Sequence, residues 1–120
     1  MKIKADISIL LPLLEVTTGW FFGDITSFNK ACAKLDGTEY DLDMARYDGF
    51  SHGSLVWVRD CFNTNTIIHE LTHLVDHVLE AVNVNDHEIR AYCMGYLGSE
   101  IFTAIPKKYG EKGKVLNAHV

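Results

Sequence analysis

The chain has few of the features that mark a secreted, membrane-spanning or nucleic-acid-binding protein. Its three cysteines (Cys32, Cys61 and Cys93) cannot all pair and form no CxxC motif, which favours a reducing, cytoplasmic compartment with free thiols. No apolar run is long enough to cross a bilayer, so we expect no membrane partner. The net charge of −5 disfavours a nucleic-acid partner, which would favour a basic surface.

The charge is unevenly distributed along the chain. Residues 106–120 contain four lysines and one glutamate and carry +3, which leaves −8 on residues 1–105. A chain of 120 residues is long enough for one domain and too short for two. We therefore predict a single domain over residues 1–105 and a flexible, basic C-terminal tail over residues 106–120.

Hydrophobic periodicity in the first third of the chain predicts a strand and a helix. Residues 2–10 alternate between apolar and polar side chains, which is typical of a half-buried strand. Pro12 and the stretch Thr17-Thr18-Gly19 then predict a loop. Asp24 and Gly37 have the residue types expected at the start and the end of a helix.

The remaining segments complete a prediction of an α+β fold with the order β-α-(β)-β-α-α. A weak alternation over 40–44, turns at Asp48-Gly49 and His52-Gly53, and a firmer strand over 54–59 come first. The cluster Asn63-Thr64-Asn65-Thr66 then offers several N-caps for a long helix that reaches about Val82. A last helix runs from Asp86 to about Ile105, where Pro106 ends it. We expect a small mixed or antiparallel sheet packed on the last two helices.

The residues most informative about function form an HExxH motif, His69-Glu70-Leu71-Thr72-His73, in the long predicted helix. Residues four apart lie one helical turn above each other, so the imidazoles of His69 and His73 can donate nitrogen to the same zinc ion. Glu70 lies at the edge of that face, where its carboxylate can reach a metal-bound water without becoming a ligand. The motif predicts a metal site with a general base.

The rest of this helix indicates how the motif is presented. At about 100° per residue its apolar side chains fill one arc of about 140°, and both histidines point almost opposite the centre of that arc. The apolar residues are Ile67, Ile68, Leu71, Leu74, Val75, Val78, Leu79 and Val82. A helix packed by this stripe holds both histidines toward an open cleft. The alternative is two surface histidines on a solvated face.

A catalytic zinc site of this kind needs a third protein ligand and one position left for water. Glu88 is the first candidate, because an antiparallel helix pair would bring it back alongside His73 and a helix N-terminus keeps a carboxylate ionised. The alternative is that Glu88 forms a capping box with Asn85. The remaining candidate ligands are His77, Asp86 and His87.

The residues HELTH at 69–73, followed by Glu88-Ile89-Arg90-Ala91, resemble the HExxH…ExxA pattern of gluzincin-type zinc metallopeptidases. The pattern is most similar to short forms carried by phages and mobile elements, including the ImmA/IrrE-type peptidases. The resemblance covers about residues 54–102 and implies a minimal zincin-like domain, one zinc ion as cofactor and Glu88 as its third ligand. It also implies that an extended substrate pairs with the strand before the motif, which is Ser54–Arg59 here.

One position departs from the family pattern. Many relatives have Asp or Asn directly after the alanine of ExxA, where this chain has Tyr92. The hydroxyl of Tyr92 would either support a zinc-bound histidine or stabilise the oxyanion, which makes it a candidate catalytic residue. Tyr96 is the next candidate for this role, and ordinary packing is the alternative for both. Asp76 and Glu80 are expected on the solvated face, with orientation of a zinc histidine as their alternative role.

We therefore predict a metal-binding protease, a hydrolase that cleaves peptide or protein substrates with a zinc-activated water and Glu70 as general base. A chain this short has little material for both walls of a substrate cleft, so a homodimer or a partner protein could complete it. The alternative function is a catalytically inactive, zinc-stabilised binding or regulatory module of a phage or mobile element. A metal-free structural protein of such an element is the third alternative.

Overall fold

The computed structural model describes residues 4–40 and 46–110. Over these residues it contains four strands and three helices, which are β1 (Ile7–Leu11), β2 (Val16–Phe22), α1 (Thr26–Asp36), β3 (Gly49–His52), β4 (Leu55–Val58), α2 (Thr64–Ala81) and α3 (His87–Tyr109). The strands form one mixed sheet, so the predicted α+β class is confirmed.

The sheet has the strand order β1-β2-β4-β3. The central strands β2 and β4 are parallel, and each outer strand runs antiparallel to its neighbour. Because a tight turn cannot join parallel neighbours, the chain passes from β2 to β4 through α1 and β3. This topology makes β1 and β3 the edge strands of the described part of the chain.

The β2 strand lies where the sequence predicts a loop. Thr18–Phe21 are all buried, so the strand has no alternation of apolar and polar side chains that periodicity could detect. The hydroxyl of Thr18 donates to the carbonyl oxygen of Ile9 and accepts from the indole N–H of Trp20. Gly19 packs closely, because a Cβ there would lie 2.9 Å from Leu55 Cδ2 and that side chain would have to shift.

Helices pack on both faces of the sheet. One cluster joins α2 and α3 to the face that contains Trp20, Val56 and Val58. A smaller cluster joins α1 to the face that contains Phe21, Leu55 and Trp57. The predicted apolar stripe of α2 is buried in the first cluster, except that Ile68 and Val82 at its margins are 46% and 45% exposed. Helix α2 therefore lies over β3 and β4.

The end of α1 and the start of α2 agree with the sequence prediction, whereas the N-cap of α1 is Ile25 and not Asp24. The Asp24 carboxylate lies one residue earlier and accepts from the backbone N–H of Thr26 at 2.7 Å. Gly37 ends α1 in the left-handed conformation with φ 82°, which a side chain would disfavour. At the start of α2 the side chain of Asn63 accepts from the N–H of Thr66 at 3.1 Å.

The segment before β4 differs from the prediction. Gly49–His52 forms strand β3, although the sequence predicts a turn at Asp48-Gly49. The second predicted turn is present, because Gly53 has φ 58°. Tyr40 is not part of a strand, and residues 41–45, the rest of the predicted weak strand, lie outside the described residues.

Helix α3 continues past Pro106, where the sequence predicts a helix end. Its last turn has tertiary contacts: the ring of Tyr109 meets that of Phe22 edge to face with centroids 5.6 Å apart, and the Lys108 ammonium donates to the carbonyl oxygen of Asp6. These contacts compensate for the one backbone hydrogen bond that a proline removes.

The extended helix changes where the predicted basic tail can begin. Residues 106–109 belong to α3, so they are not part of a tail. The remainder of the predicted tail, residues 111–120, lies outside the described residues.

Candidate metal centre

The two histidines of the HExxH motif lie one turn apart on the outward face of α2. Their Nε2 atoms are 3.3 Å apart and their ring centroids 4.8 Å apart. Tetrahedral zinc with bonds of about 2.0–2.1 Å places two ligand nitrogens roughly 3.3–3.4 Å apart. The side chain of His69 is 67% exposed, so the pair is open to solvent. The imidazoles of His69 and His73 therefore have the spacing of two ligands of one ion.

Glu70 is buried, although it follows an exposed histidine directly. Only 6% of the residue is exposed, and its Oε2 lies 4.0 Å from His69 Nε2. Burial raises the pKa of the Glu70 carboxyl, an effect that the neighbouring His69, His73 and His77 oppose. The carboxylate is thus held beside the histidine pair at a distance that suits a base acting on an intervening water.

Strand β3 sets the position of Glu70 through Gly49. A Cβ on Gly49 would lie 2.9 Å from Glu70 Cγ, 2.7 Å from Thr66 Cγ2 and 3.1 Å from the carbonyl oxygen of Trp57. Only glycine therefore permits this approach between the strand and α2. A cleft of about 330 Å³ opens here, lined by Asp48, Gly49, Asn65, Thr66, His69 and Glu70.

His77 continues the row of histidines along α2. Its ring is stacked on that of His73, with an interplanar angle of 27° and centroids 6.4 Å apart. Its Nδ1 atom is buried and has no hydrogen-bond partner among the described residues. In this rotamer only Nε2 of His77 is free to act as a ligand.

Two contacts fix how α3 lies against α2. Arg90 Nε donates to Asp76 Oδ1 at 3.0 Å, and a Cβ on Gly98 would lie 3.5 Å from Leu71 Cδ2. Later residues of α3 thus contact earlier residues of α2, so the two helices run antiparallel, as the sequence predicts. Asp76 is engaged by Arg90 in this arrangement.

The antiparallel arrangement does not bring Glu88 to the two histidines. Glu88 is two residues before Arg90, which is about 200° around the helix, so its side chain leaves α3 on the side away from the contact with Asp76. Its backbone N–H donates to Asp86, the N-cap of α3, at 2.8 Å. Over residues 4–40 and 46–110, no group of three or more His, Cys, Asp or Glu side chains is placed to hold one ion.

The two tyrosines proposed to support the site lie on the same side of α3 as Glu88. Tyr92 follows Glu88 by one turn and is 48% exposed, and its ring stacks on that of Tyr96 with centroids 6.0 Å apart. Desolvation, and then the hydrogen bond with Glu100, raise the pKa of Tyr96. The described structure brings together His69, Glu70 and His73, and a catalytic role for Tyr92 stays a prediction.

The predicted substrate strand, Ser54–Arg59, cannot pair with a substrate. Its strand β4 is bonded to β2 on one side and to β3 on the other, so it has no free edge. This prediction is wrong because the sequence indicates turns where the chain forms β3, and β3 occupies the second edge of β4. The sheet edge next to the motif is β3, whose Gly49 contacts Glu70.

A polar chain that the sequence does not predict lies at the other end of β3. His52 Nε2 is 2.8 Å from Asp36 Oδ2, and His52 Nδ1 is 2.6 Å from the hydroxyl of Tyr40. Hydrogen bonds from Thr38, and then from His52, lower the pKa of Asp36 to about 2. Burial is the main cause that raises the pKa of Tyr40. His52 follows Tyr40 by 12 residues and Asp36 by 16, so no local pattern joins it to them.

Comparison of the chain with protein-family models, with curated proteins and with solved structures finds no match. Within the described ranges, none of the helices combines the length and apolar character needed to cross a membrane.

Proposed function

We propose that this chain is a zinc-dependent peptidase, with His69 and His73 as metal ligands and Glu70 as general base. The observation that carries the proposal is the 3.3 Å separation of the two Nε2 atoms, with a buried carboxylate 4.0 Å from one of them. Two exposed histidines on a solvated face would not require a buried glutamate between them, nor a glycine against which that glutamate packs.

The histidine pair fits two ligand positions, and the third ligand is the part of the site that is not assembled. A bound zinc ion would supply a Lewis acid that lowers the pKa of a coordinated water. Glu88 stays the proposed third ligand, and it reaches the pair only if the first turn of α3 reorients. The Asp86 cap of this turn is exposed, whereas Ile89 packs on the core and Arg90 is bonded to Asp76, so the reorientation must accommodate both contacts.

The residues of the chain itself account for the proton transfers of peptide hydrolysis. Glu70 accepts a proton from the attacking water and then donates it to the amine of the leaving peptide. Burial raises the pKa of the Glu70 carboxyl, which makes the carboxylate a stronger base and assists the first of these steps.

The proposed substrate is an extended peptide that adds to the edge of β3, which no other strand of residues 4–40 and 46–110 occupies. An edge strand offers unpaired backbone N–H and C=O groups, which an extended chain can satisfy. Gly49, at one end of this edge, contacts Glu70, so a peptide bond held there lies next to the base. A homodimer or partner protein that walls the cleft, and a cytoplasmic location supported by three free cysteines, are parts of the same proposal.

The substitution Glu70→Gln tests the general base. It keeps the shape of the side chain and removes its charge, so we expect zinc content within about twofold of the parent and cleavage of fluorescein-labelled casein reduced at least about 100-fold. Glu100→Gln, at an exposed position of α3, is the matched control and should cleave as the parent does. If Glu70→Gln cleaves at the parental rate, the proposed mechanism is wrong.

The unassembled third ligand favours one second candidate, a zinc-stabilised binding or regulatory module without turnover. In that case zinc raises the melting temperature, while the parent, Glu70→Gln and Glu100→Gln all fail to cleave casein. If the chain is a metal-free structural protein, zinc should neither raise its melting temperature nor support cleavage of casein.

A further inference from the structure

A second cleft, of about 560 Å³, opens where β3 ends. Ser51 and His52 of β3, Tyr40 before it, and His77 and Glu80 of α2 contribute to its walls. These residues lie along the same sheet edge and the same helix as the motif, and none of them has a part in the proposed hydrolysis.

The hydrogen-bond chain at this cleft fixes which groups face a ligand. Asp36 is ionised at neutral pH, because its pKa is about 2, so its carboxylate accepts a hydrogen bond from the N–H at His52 Nε2. In the neutral imidazole Nδ1 then carries no hydrogen and accepts from the Tyr40 hydroxyl. The phenolic hydrogen is thereby used, and the oxygen of Tyr40 presents only lone pairs.

Like the Tyr40 oxygen, the other groups of the cleft favour a ligand that donates hydrogen bonds, and they also favour one that carries positive charge. Glu80 contributes an exposed carboxylate beside the phenolic oxygen of Tyr40. No lysine or arginine is among the described residues that line the cleft. A carboxylate and a phenolic oxygen that accepts hydrogen bonds together suit an ammonium or guanidinium group.

The distance from Glu70 defines which part of a peptide would reach the cleft. Ser51 is two residues from Gly49, or about 7 Å along the strand, and His77 is seven residues from Glu70, or about 10 Å along the helix. An extended peptide covers these distances in two to three residues. A side chain at that position would enter the cleft while the neighbouring backbone lies beside Glu70.

We propose that this cleft binds a lysine or arginine side chain of the substrate, two or three residues from the bond that is cleaved. The position in the substrate rests on the proposed function, whereas the preference for a cation rests on the cleft alone.

The first experiment locates basic residues relative to cleavage. The zinc-loaded chain is incubated with a mixture of synthetic peptides of random sequence, and the products are sequenced by mass spectrometry. We expect enrichment of Lys and Arg two or three residues from the cleaved bond, and a fall in that enrichment of at least about threefold in Glu80→Gln but not in Glu100→Gln. Cleavage without such enrichment overturns the inference and leaves the proposed function intact.

The second experiment needs no turnover. N-acetyl-arginine methylamide is titrated into the Glu70→Gln variant, and the NMR signals of His52 and His77 are followed, with the citrulline analogue as an uncharged probe of the same shape. We expect the arginine probe to bind at least about threefold more tightly than the citrulline probe, with the difference lost in Glu80→Gln. If this holds while the parent cleaves no peptide, the cleft is supported and the proposed function fails. Equal binding of the two probes overturns the inference.

Discussion

Gly49 of the edge strand lies directly against Glu70 of the HExxH helix, closer than any other residue type would permit. The glycine is not required by its backbone conformation, because its φ is not positive. It is required by the space that the carboxylate occupies. The strand and the proposed general base are therefore coupled by packing.

This contact predicts that Gly49→Ala damages both stability and activity. The added methyl group would meet Glu70 and Thr66 side-chain atoms at under 3 Å and a backbone oxygen at 3.1 Å, and overpacking of this kind costs about 1–3 kcal/mol. We expect a lower urea midpoint and a displaced Glu70, with casein cleavage falling further than the loss of folded protein explains.

Gly95→Ala is the control for this substitution. A Cβ at Gly95 meets nothing within 4 Å, and alanine in a helix is about 0.5–1 kcal/mol more favourable than glycine. That variant should be as stable as the parent or more so. A Gly49→Ala variant with parental stability and activity would show that β3 does not position the base.

The spacing of the three histidines on α2 predicts that replacing His77 changes zinc affinity much less than replacing His69 or His73. Replacing His69 or His73 with Gln removes one of two nitrogens 3.3 Å apart, so we expect zinc affinity to fall by more than about 100-fold. His77→Gln, one turn further on, should change it by less than about threefold, because its ring lies 6.4 Å from that of His73. Competition with a chromogenic chelator measures all three variants. An equal loss in all three would make His77 a ligand as well, and no loss on replacing His69 or His73 would place the metal elsewhere.

The substitution Glu88→Gln tests whether Glu88 becomes the third ligand when zinc binds. If the first turn of α3 reorients to supply the third ligand, Glu88→Gln weakens zinc binding at least about tenfold, and zinc changes hydrogen exchange of the backbone over residues 86–90. Glu100→Gln on the same helix should have neither effect. Unchanged affinity in Glu88→Gln would mean that Glu88 is not a ligand.

The hydrogen bonds that the Asp36 carboxylate accepts predict a dependence of stability on acid. Thr38 and then His52 hold the pKa of Asp36 at about 2 in the folded chain, below its ordinary 3.8, so these bonds contribute stability above about pH 4 and lose it as pH falls toward 2. Asp36→Asn should therefore be less stable than the parent in urea at pH 7, and the difference should shrink at pH 3. A difference that is the same at both values would contradict this linkage.

The sequence predicted the elements whose pattern is local. The apolar stripe of α2, its Asn63 cap and the left-handed Gly37 follow from spacing and residue type, and all three are present. Strand β2 was missed because a central strand buried on both faces has no alternation. Strand β3 was missed because it is four residues long and begins in Asp48-Gly49, which favours a turn when considered alone.

The candidate site also combines a part set by local helix geometry, which was predictable, with a part set by tertiary contacts, which was not. The relation of His69, Glu70 and His73 is set by helical geometry and was predictable, whereas the burial of Glu70 depends on Gly49 from a distant strand. For Glu88 the antiparallel helix pair was predictable, but the rotation of α3 about its own axis depends on tertiary contacts such as that of Arg90 with Asp76. The Asp36–His52–Tyr40 chain depends wholly on such contacts.

X-ray absorption at the zinc edge, recorded on the zinc-loaded chain, tests the shared ion most directly. Two imidazole nitrogens at about 2.0–2.1 Å should surround the metal in the parent, and only one in His73→Gln. A spectrum without imidazole scattering, or one that His73→Gln leaves unchanged, would contradict the claim that these two side chains hold one metal.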